Sequence, residues 1–172
     1  MKRRLLYLAF GISLFLVSFN LGAKTDLNND QSKSIKEEFE KKTKDIDEYG
    51  IFRNNILIAL GMFIPGFGIG LGIFSGFGTG LVFSALTTFE TSLQNISPLS
   101  ILVTPFGIME IFSYGLAMSR SGIIIYDLAV KKISWKNLIK PSLIEIAIVV
   151  IILLIAAIIE WTMIEQITKF NE

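Results

Sequence analysis

The sequence predicts an all-α integral membrane protein with about five transmembrane helices. Three observations lead there: long apolar runs, a hydrophobic composition and a lopsided placement of lysine and arginine. Apolar stretches cover residues 5–22, 54–75, 78–93, 99–118 and 143–161. A bilayer core about 30 Å thick needs about 20 apolar residues in a helix, and all but the 78–93 stretch approach that length. Hydrophobic residues make up 52% of the 172 positions, more than an ordinary soluble domain of this size carries.

The first stretch follows Lys2, Arg3 and Arg4, so the positive-inside rule puts the N-terminus in the cytoplasm. It resembles a signal peptide, but Ala23 follows Leu21 and Gly22, a poor match to the small residues a cleavage site requires. Residues 1–22 are therefore read as an uncleaved signal anchor in the cell membrane. Residues 23–50 form an external charged segment in which six lysines face eight acidic residues, without an internal loop's positive excess. Within it Ile35, Phe39, Ile46 and Tyr49 fall on one helical stripe, which predicts an amphipathic helix on a surface or against an external partner.

The second and third stretches share a glycine ladder. Gly68, Gly72, Gly76 and Gly80 are spaced by four, with Ser84 continuing the series. Residues four apart share a helix face, so the ladder lets a second backbone approach closely. Pro65 and Ser75-Gly76-Phe77-Gly78 argue against one unbroken helix, and a Gly-rich close-packed hairpin turning within 75–78 is expected. The 78–93 stretch is short and carries Thr79, Thr87, Thr88 and Glu90, so it is either a crossing or a re-entrant half-span. Phosphate binding by these glycines is excluded, because no strand precedes them and no Lys-Ser/Thr follows.

The fourth stretch opens a 32-residue run over 99–130, about 48 Å if wholly helical. It either projects beyond the hydrocarbon or bends at Ser119-Arg120-Ser121-Gly122. Arg120 has two possible partners, Asp127 two turns along the same face or a group across the bundle. Residues 132–140 form a cytoplasmic basic loop holding Lys132, Lys136, Lys140 and Trp135, with no acid. Residues 141–172 supply a last helix, aliphatic over 146–159 and assigned to the lipid-facing rim, and a short tail. Five crossings, N-terminus in and C-terminus out, reconcile both charge signals.

Chemistry is constrained by what is missing. The chain has no Cys and no His, which removes thiolate and Ser-His-Asp catalysis, His- or Cys-ligated zinc and the usual near-neutral proton carrier. No cofactor, no metal and no catalytic residue is expected. A net charge of +1 leaves no dense basic face for nucleic acid. Polar groups in lipid cost about 2.5–3.5 kcal/mol when charged at a helix centre, so each needs a partner. Asn54, Asn55, Glu90 and Glu110 are the candidates for one buried polar cluster, either functional or holding the helices in register.

The order of elements over residues 51–131 resembles the stage II sporulation protein M family of multi-pass membrane proteins. The residues that carry the likeness are Phe52-Arg53-Asn54-Asn55, the Gly-rich segment after them, and Pro105-Phe106-Gly107-Ile108-Met109-Glu110 followed by Ser121-Gly122. An Asn-Asn pair and a Pro-His-Gly-x-x-Glu motif characterise that family, and here Phe106 stands in place of the His. The resemblance implies a helical core and a non-enzymatic subunit. The sporulation member assembles with cell-wall-degrading partners, while relatives occur widely in prokaryotes that do not sporulate.

The expected function is a non-enzymatic scaffold or accessory subunit of a membrane complex, its partners being membrane lipid and either a second copy or other subunits. The alternative is a small transporter or channel working through Glu110, since buried carboxylates and broken helices are transporter devices. An enzyme acting through paired Glu90 and Glu110 carboxylates is a weaker third reading.

Overall fold

The computed structural model describes residues 2–44, 46–89 and 96–171, and those residues form helices, turns and no strand. The helices are α1 (Lys2–Ala23), α2 (Asn29–Thr43), α3 (Glu48–Met62), α4 (Phe67–Phe89), α5 (Pro98–Ile101), α6 (Pro105–Ala129) and α7 (Trp135–Asn171). Four of them, α1, α4, α6 and α7 over Trp135–Gln166, are long and apolar enough to cross a membrane. α3 has 15 residues and spans about 22 Å, short of a full hydrocarbon core.

The glycine-rich hairpin turns in a different place from the one expected. α4 is continuous through Ser75-Gly76-Phe77-Gly78, and the chain reverses instead at residues 63–66. Gly66 has φ +83°, a left-handed value open to glycine, and Pro65 precedes it. The expected 54–75 span is thus divided between α3 and α4, and residues 78–89 of the next stretch are the second half of α4.

α1 and α4 run parallel. Gly76 lies against Phe15 and Gly80 against Phe19 and Ala23, while the Ser18 hydroxyl donates to Ile73 O at 2.5 Å and that of Ser84 to Thr25 O at 2.8 Å. Cβ atoms at Gly76 and Gly80 would stand 2.9 Å from Phe15 O and 2.6 Å from Ala23 N. Only glycine permits that approach. α6 runs opposite to both: Gly115 meets Gly11, Met118 covers Gly72, and Ser121 lies beside Gly68.

α6 starts at Pro105, capped by the Thr104 hydroxyl, which accepts from Gly107 N at 3.1 Å. The long run over 99–130 therefore breaks at 102–104, and α6 is continuous through Ser119-Arg120-Ser121-Gly122. Past its end Lys132 adopts φ +52°, which turns the chain so that Ile133 N donates back to Asp127 O at 3.0 Å. α7 then returns along α6 and α3. Val149, Leu153, Ala156 and Ala157 are fully buried, joining or flanking a core of Phe15, Met62, Tyr114 and Met118, while Ile151, Leu154 and Ile158 face out. The last helix is peripheral, but one of its faces belongs to the core.

The charged segment over 23–50 is two pieces and not one stripe. α2 opens with a reciprocal cap between Asn28 and Gln31 and ends at Thr43, so Ile35 and Phe39 lie on it, Ile46 lies in the following loop and Tyr49 lies in the first turn of α3. α2 packs on the end of α4, with Ser32 fully buried 3.3 Å from the Thr88 hydroxyl and Lys36 over the Phe89 ring.

Candidate functional site

Two polar clusters tie the bundle together at different levels. The first joins α3 to α6. Asn55 sits in the third turn of α3, and its Nδ2 donates to Glu110 Oε1 at 2.5 Å. Asn54 Nδ2 donates in turn to Asn55 Oδ1 at 3.3 Å, with Asn54 on the exposed side. Glu110 lies in the second turn of α6 because Thr104 and Pro105 fix where that helix starts. One turn on, Tyr114 is buried against Phe15, with ring centroids 5.3 Å apart. Ser113 is also fully buried, and its Oγ has no hydrogen-bond partner among the described residues.

The structure thus brings Asn54, Asn55 and Glu110 together, while Glu90 lies outside the described residues. Tyr114, on the same face of α6 one turn from Glu110, lies outside the four residues expected to form the cluster. α7, expected on the lipid-facing rim, also reaches the bundle through the Glu145 carboxylate at the start of its aliphatic run.

The second cluster closes the opposite end. Glu145, four residues after Pro141 in α7, is held by two guanidinium groups. Arg4 Nε and Nη2 donate to its two oxygens at 2.9 and 2.6 Å. Arg120 Nε donates to Oε2 at 2.8 Å, and its Nη2 to Oε1. Arg4 also donates to the Ser119 hydroxyl at 2.5 Å and to Leu116 O at 3.2 Å. Beside this clamp Arg3 donates to Asp127 Oδ1 at 2.8 Å and lies 4.4 Å from the Tyr126 ring centre, while Lys131 stands 3.8 Å from the same carboxylate. Forked donors on one carboxylate are the strongest geometry available to such pairs. Of Arg120's two possible partners, the one across the bundle is realised.

The ladder residues are all buried, Gly76 and Gly80 against α1, Gly72 against Met118 of α6, and Gly68 against Met62 of α3 and Ser121 of α6. Their role in the fold is close packing.

A helical bundle with four membrane-length apolar helices, internally paired charges and glycine-lined contacts defines a multi-pass membrane protein. Within that class, residues 5–163 match the family described as Stage II sporulation protein M, and the chain belongs to it. The match takes in α1 and most of α7 as well as the 51–131 core that carries the motifs. Comparison with curated proteins and with solved structures gave no match.

Proposed function

We propose that the protein is a non-enzymatic scaffold or accessory subunit of a larger complex in a prokaryotic cell membrane. The observation that carries this reading is the internal use of the bundle's polar groups. Asn55 binds Glu110, Glu145 binds both Arg4 and Arg120, and Asp127 binds Arg3. Meanwhile α2 presents Phe39 and rows of Lys and Glu outward. A stapled bundle with an exposed charged helix is suited to holding a partner. In this reading α3 is a short fifth crossing, the N-terminus is cytoplasmic and the C-terminus external. The partner is a second copy or another membrane subunit.

The test is gentle detergent purification from native membranes, with quantitation of co-purifying chains. A companion at constant ratio that is lost on Phe39→Glu, with the bundle still folded, supports the subunit reading. A monodisperse monomer without a constant companion overturns it.

One observation favours transport as a second reading. The Glu110 carboxylate, bonded to Asn55, and the Ser113 hydroxyl, without a partner among the described residues, lie on neighbouring turns of α6, a polar grouping that helix packing alone does not require. Flux into proteoliposomes that disappears in Glu110→Gln would favour it. Flux equal to that of empty vesicles would count against it.

A further inference from the structure

We propose that the end of the bundle carrying the Arg4–Glu145–Arg120 clamp holds one anionic phospholipid, its acyl chain in a groove between α3, α6 and α7. The groove has a volume of about 280 Å³. Its walls are Phe63, Ile64 and Pro65 at the end of α3, Ile124 of α6, and the face of α7 from Trp135 to Ile146. It exists because α3 stops at Met62, leaving the space between α6 and α7 uncovered beyond it.

Shape and chemistry select the occupant. Along α7 the groove runs from Trp135 to Ile146, about 17 Å at 1.5 Å per residue. That is close to half of a hydrocarbon core about 30 Å thick, the length of one leaflet's chains. Ser142 is its one hydroxyl, and that group already donates to Leu138 O at 2.7 Å. Apart from the Trp135 indole at the mouth, the groove's lining side chains offer a ligand no free hydrogen-bond donor. An acyl chain asks for none.

The mouth supplies the charge. Trp135 stands there, half exposed, where an indole sits at headgroup level. Lys136 and Lys140 follow on the first turns of α7, three residues before Ile139 and Leu143, so they share faces with the groove wall. Lys132 precedes them in the turn. Among the described residues no carboxylate pairs with Lys132, Lys136 or Lys140, whereas the nearby acids Asp127 and Glu145 are already taken by Arg3, Lys131, Arg4 and Arg120. Unpaired lysines over an apolar slot between helices recognise an anionic headgroup.

The two tryptophans of the chain give a direct readout. Trp161→Phe leaves Trp135 as the sole indole, and the full chain is reconstituted in phosphatidylcholine vesicles containing a small fraction of brominated lipid. Brominated phosphatidylglycerol is expected to quench Trp135 at a lower fraction than brominated phosphatidylcholine. The preference should fall about fivefold for each lysine removed in Lys136→Ala and Lys140→Ala. In the reciprocal Trp135→Phe chain, Trp161 should be quenched equally by both lipids. Identical quenching of Trp135 by the two lipids overturns the proposal, as does a preference that survives loss of both lysines. Failure of either lipid to quench Trp135 would mean that a protein segment fills the groove, which also overturns it.

Discussion

Arg4 Nη2 lies 2.6 Å from Glu145 Oε2, although 141 residues separate the two in sequence. The pair fixes the start of α1 against the start of the aliphatic part of α7, and Arg120 joins it from α6. Three helices meet on one carboxylate. Removing that carboxylate strands two cations, whereas removing either arginine leaves a one-to-one pair. Glu145→Gln should therefore destabilise the fold by about 3–5 kcal/mol, and Arg4→Met or Arg120→Met by clearly less. Thermal or denaturant unfolding in detergent checks the order, and equal losses for the three variants would contradict it.

The glycines are predicted to divide sharply. At Gly80 an added Cβ would stand 2.6 Å from Ala23 N and meet Phe19 O as well, so Gly80→Ala has to push α1 away. The expected loss is about 1–3 kcal/mol. Gly70 and Gly78 lie on the same helix with open space around an added Cβ. Gly70→Ala and Gly78→Ala should be neutral or stabilising by up to about 1 kcal/mol, since alanine is the better helix former. Unfolding midpoints of the three variants decide the matter.

The Asn55–Glu110 contact has a distinct signature. Glu110→Gln keeps size and an acceptor oxygen, so stability should change by less than about 1 kcal/mol. Asn55→Leu removes the donor and leaves the Glu110 carboxylate without that bond inside the bundle, at a cost of about 1–3 kcal/mol. Comparable losses in both variants would mean that the charge of Glu110 itself holds the fold.

Much of this arrangement is legible in the sequence, for physical reasons that differ by element. Apolar runs mark α1, α6 and α7 because lipid demands apolar surface along the whole helix. The ladder marks α4 because a spacing of four places glycine on one face. Ser75-Gly76-Phe77-Gly78 reads as a turn because it is poor in helix formers, yet packing of Gly76 and Gly80 on α1 holds that stretch helical. Pro65-Gly66 carried the proper turn signal, set within an apolar run that conceals it. Asn55 and Glu110 could be grouped because polar side chains in spans seek one another. Glu145 could not be matched to Arg4 and Arg120 without knowing that α1, α6 and α7 adjoin.

Helix direction yields the last prediction. α1 and α4 are parallel and α6 is antiparallel to both, so the N-terminus and the turn after α6 share one end of the bundle, with α2 at the other. The natural chain has no cysteine, so a single introduced thiol reports its own side without background. Ser134→Cys, in the exposed turn before α7, should be protected from an impermeant maleimide applied to intact cells and react once the membrane is opened. Ser34→Cys, exposed on α2, should react in intact cells. The reverse pattern would invert the proposed orientation while leaving the bundle intact. Labelling of both positions from one side would contradict the bundle itself, because α1 would no longer separate the two ends.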